Sequence, residues 1–263
     1  MILVDSHAHL NMSEFDKDRD EVIQEAFRQN IATVLCPAEA SDADNINITL
    51  KMLRKHDRIA AAAGVHPHKA EGYSDSSENR IRRLASRRKI KAVGEIGLDF
   101  FYSYSPEEKQ VSVFRSQLEL AESLKLPVII HSREASSRVL EAIDSVKFTR
   151  GGVLHCFTES TGFAWKMLDR GFYISFSGIL TFPKADGIRE TAKFIPGDRI
   201  LVETDSPYLA PVPYRGKVKR NKPVFIKKTA QFLAGLRKQD YSRIAEHTTN
   251  NFQACFGFEI PGL

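Results

Sequence analysis

The sequence predicts a (β/α)8 barrel, and three observations carry that prediction. Eight short apolar runs of strand character recur along the 263 residues, alternating with helical segments. No low-complexity linker interrupts the alternation. Metal-competent side chains follow six of the eight runs, and in a barrel those strand ends meet on the face that carries chemistry.

The runs are residues 2–4, 32–35, 60–64, 92–94, 128–130, 152–154, 172–176 and 199–202. Residues 18–29 and 46–55 have helical spacing of apolar positions. Residues 79–88 are strongly basic, with Ile81 and Leu84 on one side. Ser105-Pro106-Glu107-Glu108 reads as a helix start: a cap, a proline at the first helical position and acids in the first turn, with the helix running to residue 124. Thr158-Glu159-Ser160 opens a helix that Gly171 stops. Residues 187–195, 224–237 and 241–256 supply the rest, so residues 1–263 form one barrel domain with a C-terminal helical extension. A doubly wound sheet would place a glycine-rich phosphate loop after the first strand, and Asp5-Ser6-His7-Ala8-His9 is not one.

The composition, 42% hydrophobic and 27% charged, is that of a globular chain. No apolar run reaches the length of about 18 residues that a membrane helix needs. The N-terminus does not read as a secretion signal, so the cytoplasm is the expected compartment. Cys36, Cys156 and Cys255 are too sparse for a disulfide framework and are expected as small buried side chains. The net charge of +5 favours an anionic partner, and a barrel that completes its own core predicts a monomer.

Residues two apart in extended chain point the same way, so His7 and His9 can aim two imidazoles at one point past the first strand. The third run leads into His66-Pro67-His68, the fourth into Glu95 and Asp99, the fifth into His131-Ser132-Arg133, the sixth into His155 and the eighth into Glu203-Thr204-Asp205. His7, His9 and Asp205 are expected to hold one divalent ion, His131 and His155 a second, and Glu95 to bridge them. Mixed imidazole and carboxylate donors suit Zn, Mn, Co or Fe, and Mg where a phosphate adds oxygens. Asp205 is also placed to accept the proton of an attacking water. His66 is read as a substrate donor and His68 as a residue of a proline turn. His56 and His247 fall in helices and are read as surface or packing residues.

Val4-Asp5-Ser6-His7-Ala8-His9-Leu10, Gly64-Val65-His66-Pro67, Gly94-Glu95-Ile96-Gly97-Leu98-Asp99, His131-Ser132-Arg133, Leu154-His155-Cys156-Phe157 and Glu203-Thr204-Asp205-Ser206-Pro207-Tyr208 together resemble the TatD family of metal-dependent hydrolases. The resemblance spans about residues 1–258. It implies a barrel of the amidohydrolase type, a divalent metal centre and deoxyribonuclease activity, often 3′ to 5′ exonucleolytic. Some relatives instead remove D-amino acids from tRNA. By motif, His7, His9, Glu95, His131, His155 and Asp205 are the implied ligands. Glu134 stands where the family usually has Asp, Val218-Lys219 reads as an insertion, and Lys222 replaces an acid.

Residues 211–223 carry Arg215, Lys217, Lys219, Arg220 and Lys222 and no acid, as a polyphosphate substrate requires. Arg215, Lys217 and the fork-shaped donor Arg133 are expected to bind phosphate. Phe100, Phe101, Tyr102 and Tyr104 offer rings on which unpaired bases stack. DNA, as single strands or 3′ ends, is the expected substrate, with RNA or tRNA as further candidates. The alternative keeps the metal pair and attacks a carbonyl, as in a D-aminoacyl-tRNA ester.

Overall fold

A computed structural model describes residues 1–262 of the chain. Eight parallel strands stand in sequence order around a barrel: β1 (Leu3–Asp5), β2 (Ile31–Glu39), β3 (Ile59–Gly64), β4 (Val93–Asp99), β5 (Val128–Arg133), β6 (Gly152–Leu154), β7 (Phe172–Phe176) and β8 (Ile200–Val202). Every expected run becomes a strand. β2, β4 and β5 continue further than their apolar runs, so Glu95, Asp99, His131 and Arg133 lie inside strands, not past their ends. Between β8 and β1 the seam is closed by backbone bonds beyond the strands: Ser6 N–H donates to Val202 O (3.1 Å), Asp205 N–H to His7 O (2.9 Å) and His9 N–H to Ser206 O (2.7 Å).

The helices are α1 (Arg19–Arg28), α2 (Ala43–Lys55), α3 (Asp75–Ser86), α4 (Glu107–Leu124), α5 (Ser136–Val146), α6 (Thr161–Leu168), α7 (Asp186–Phe194), α8 (Ile226–Arg237) and α9 (Tyr241–Phe256). Two differ from the sequence reading. α4 is preceded by Pro106 at its cap, and the Ser105 hydroxyl donates instead to His68 O. α5 is an addition. Its N-terminus has no cap of its own; Glu159, from the β6–α6 connection, accepts from the Ser136 and Ser132 hydroxyls (2.7 and 2.9 Å). Among the described residues no helix is long and apolar enough to cross a membrane.

Alternation along the strands sorts the core into two clusters. Leu3, Ile31, Val93, Ile130 and their like face the helices. Val4, Leu35, Ala62, Ile129, Val153 and Leu201 fill the barrel with Phe252, Phe256 and Ile260, which come from the α9 end of the chain. The inward parity then sets the site. Ile129 points in, and so does His131 two residues on; Val153 leads in the same way to His155, and Leu201 to Glu203 and Asp205. Two glycines let β3, β4 and β5 draw together at this level. A Cβ on Gly64 would lie 2.9 Å from Glu95 O, and one on Gly97, at φ +140°, 2.0 Å from His131 O.

Candidate metal centre

Six expected ligands converge at the C-terminal mouth of the barrel. His7 Nε2 and His9 Nε2 lie 3.1 Å apart. Glu95 Oε2 is 3.2 and 3.6 Å from these nitrogens, and Asp205 Oδ1 is 3.8 and 3.3 Å from them. The other carboxylate oxygen faces a second group: Glu95 Oε1 is 2.8 Å from His155 Nε2, 3.0 Å from His131 Nδ1 and 3.2 Å from His66 Nε2. His66, expected as a substrate donor, thus lies beside the metal donors and lines the same cleft.

These spacings fit a cation. Donors each about 2.1 Å from one divalent ion, at tetrahedral to octahedral angles, are about 3.0–3.4 Å from one another. Glu95 Oε2 is also buried with no hydrogen-bond donor, a costly state for a carboxylate oxygen that an ion would relieve. His7, His9 and Glu95 form one three-donor group and His66, Glu95 and His131 another, so Glu95 belongs to both.

The electrostatics are tightly coupled. Burial works against the Glu95 charge, but His155, His66 and His7 outweigh it and hold its carboxyl well below the usual range. Burial likewise opposes charge on His155, yet Glu95 and Glu203 raise it well above an ordinary histidine. His131 is raised by Asp99 and Glu95 against its burial, and His9 by Asp205 and Glu95. Burial pushes His66 down to about 4.

Behind the donors lies a layer of acids to which the sequence reading gave no role. Glu203, fully buried, places Oε1 3.2 Å from His155 Nδ1 and so turns Nε2 toward Glu95. Asp99 Oδ2 sits 3.0 Å from both His131 Nε2 and His68 Nε2, which takes His68 out of a merely structural turn. Asp5 accepts from Thr204 N–H (2.9 Å), the Thr204 hydroxyl (2.6 Å) and His7 N–H (3.3 Å), tying the His7 strand to the Asp205 strand. Asp205 itself adopts φ +54°, a left-handed conformation that Asp tolerates better than most residues. The spacing of two that links Leu201 to Glu203 also links Asp5 to His7 and Asp99 through Gly97 to Glu95, and is the signal that finds all three.

The centre opens into a cleft of about 820 Å³ lined by His9, His66, His131, Arg133, Tyr102 and Tyr208, among others. Residues 4–257 match the family described as TatD related DNase. The chain belongs to the TatD family. It is 39% identical to the uncharacterized metal-dependent hydrolase YcfH of Escherichia coli K12, an alignment that covers 100% of this chain and 98% of YcfH. It is 33% identical to the 3′-5′ ssDNA/RNA exonuclease TatD of Salmonella typhimurium, over 97% of this chain and 98% of that one. Among solved structures, the TatD homologue YjjV of E. coli K12 superposes with a TM-score of 0.90 at 30% identity, covering 98% of each chain. The chain is thus a metal-dependent hydrolase with a TatD barrel.

The TatD basic segment is placed differently from the expectation. Arg220 is spent on Asp18 (the Nη2–Oδ2 pair) and lies over the Phe15 ring, and Lys222 meets Glu25 at 3.2 Å. The cation that departs from the TatD motif thus has an acid on α1 as its partner. Arg215 lies 4.0 Å over Phe182, and neither it nor Lys217 lines the cleft. Arg133 does. Its guanidinium rests 4.0 Å over Phe101 and 4.7 Å over Tyr102, and among the described residues it makes no hydrogen bond or ion pair. Phe100 packs against the core, while Phe101, Tyr102 and Tyr104 stay exposed.

Proposed function

We propose that this TatD protein hydrolyses phosphodiester bonds of single-stranded nucleic acid, most readily DNA, releasing nucleotides from the 3′ end. The observation that carries this reading is Arg133: a guanidinium pinned by ring faces, with its donors unpaired, in the cleft that holds the metal donors. A planar fork of N–H donors matches the oxygens of a phosphate. The 3′-5′ ssDNA/RNA exonuclease name of the Salmonella relative supports the same reading.

His7, His9, Asp205 and Glu95 Oε2 would hold one divalent ion, and His131, His155 and Glu95 Oε1 a second, with His66 as an additional donor. When bound, such a pair polarises the attacked phosphate and makes a water nucleophilic at neutral pH. Glu95 fixes the distance between the two groups because each of its oxygens serves one of them. The Asp205 carboxylate takes the proton of the attacking water on the oxygen not given to the ion and returns it to the leaving oxygen. Arg133 holds a non-bridging oxygen and stabilises the charge that grows there.

The test uses metal-stripped protein reloaded with Mg, Mn, Zn or Co and given 3′-labelled and 5′-labelled strands on a gel. Mononucleotides should leave from the 3′ end and should not be released by His131→Ala or Asp205→Asn. No cleavage with any metal, beside hydrolysis of a D-aminoacyl-tRNA ester, would move the reaction to a carbonyl and overturn the reading.

A further inference from the structure

Nine large apolar side chains are exposed among the described residues, and three of them, Phe101, Tyr102 and Tyr104, fall within four positions of one turn. They keep 51%, 48% and 66% of their surface open, which water penalises unless a ligand covers it. The turn is not loose. Asp99 Oδ1 accepts from Phe101 N–H (3.1 Å) and Tyr102 N–H (2.9 Å), while its Oδ2 faces His131 Nε2 at 3.0 Å. One carboxylate therefore ties the rings and a metal donor together, so the rings stand at a fixed place relative to the reacting centre.

Their mutual geometry is that of an unfinished stack. Tyr102 and Tyr104 are parallel within 4°, with centroids 5.5 Å apart. Phe101 meets Tyr102 edge-on at 4.9 Å, and His68 stands edge-on to Tyr104 at 4.8 Å. These contacts fix ring orientation; Tyr102 has Tyr104 and Arg133 against its ring, while Tyr104, 66% exposed, keeps a face open. Arg133 fills the corner between Phe101 and Tyr102, so the cation and the flat surface lie side by side. A flat apolar group linked to a phosphate is the ligand that satisfies both. A nucleotide of an unpaired strand is such a group, whereas a base inside a duplex has both faces taken by its neighbours.

We propose that the open face of Tyr104, backed by Tyr102, stacks a nucleobase of the substrate strand beside the phosphate that Arg133 holds, and that this rim selects unpaired 3′ ends. The inference rests on the nucleic-acid reading above and adds the part of the substrate that the metal donors cannot read, its bases. It predicts affinity that depends on base and ring together, with little dependence on which base is present, because every base has a π-face.

The test is a double-mutant cycle between ring and base. Metal-loaded full-length protein is titrated by fluorescence anisotropy with a labelled single strand whose terminal linkages are phosphorothioates, and with the same strand made abasic at its 3′ end. Wild type should bind the intact strand about tenfold more tightly than the abasic one. Tyr104→Ala should lose that preference and Tyr104→Phe should keep it. Equal binding of the two strands by wild type, a preference that survives in Tyr104→Ala, or its loss in Tyr104→Phe would each overturn the proposal. A ring-dependent preference in a protein that cleaves no strand would remove the phosphodiesterase reading and leave the stacking site. Cleavage without any base preference would do the reverse.

Discussion

Glu203 offers a sharp test of the metal centre, because its carboxylate meets His155 on the side away from Glu95. Its Oε1 lies 3.2 Å from His155 Nδ1 and the residue is fully buried. Replacement by Ala removes the buried carboxylate that holds His155 Nδ1, a loss of about 1.5–3 kcal/mol. At about 1.4 kcal/mol per tenfold, that is roughly a 10–150-fold loss of affinity for a divalent ion. The expectation agrees with the 10–100-fold usual when the outer partner of a ligating histidine is removed. Glu203→Gln keeps an acceptor oxygen without the charge and should fall between wild type and Glu203→Ala. Competitive titration with a metal chromophore reads the affinity, and the nitrogen shifts of His155 read whether its proton still sits on Nδ1. Wild-type affinity in Glu203→Ala, with the imidazole proton unmoved, would refute the argument.

Three more outcomes follow from the same geometry. Glu95→Ala removes an oxygen from both donor groups, so elemental analysis should find both ions depleted; full occupancy of either site would end the bridging role. Neighbouring carboxylates raise His9, His131 and His155 above the ordinary 6.5, so in metal-free protein each keeps its proton to higher pH than a free histidine and must release it when an ion enters. Metal affinity should therefore weaken as pH falls, beginning above 6.5, and calorimetry in buffers of different ionisation enthalpy should detect proton release; binding that releases none contradicts the shifts. Phe252→Ala opens the floor of the barrel, where Phe252 is fully buried 5.0 Å from Phe256, and should cost about 3–5 kcal/mol in urea unfolding. A loss under about 1 kcal/mol would show that the floor collapses to fill the space.

The strands were legible because each is a continuous apolar run, and a parallel barrel buries its strands on both faces. α5 was not, and its boundary shows why. A helix announces itself by a local cap, but α5 borrows Glu159 from a segment more than twenty residues away. The ligands were legible from their place at the ends of those runs; two-residue parity carries Ile129 to His131 and Val153 to His155, while a register shift between Val93 and Ile96 breaks that parity before Glu95. The basic loop misled because charge in a sequence does not show its partner. Arg220 and Lys222 look like phosphate contacts until α1 brings Asp18 and Glu25 to them.

The charges of the donor set bear on what the cations of the cleft can do. Glu95 and Asp205 face the ions directly, and Asp99 and Glu203 stand behind His131 and His155. These four carboxylates balance the four positive charges that two divalent ions would bring. Burial pushes the Asp5 carboxyl up to about 8, so it adds no full charge at neutral pH. The four carboxylates and the two ions then nearly balance. Beyond them the cleft is lined by two cations, Arg133 and Lys69, and by Glu39 and Asp42, and among the described residues the Arg133 guanidinium meets ring faces and no acid. Removing Arg133 should lower the salt slope of strand binding by about one phosphate contact, whereas removing Lys217, exposed and outside the cleft, should change it little.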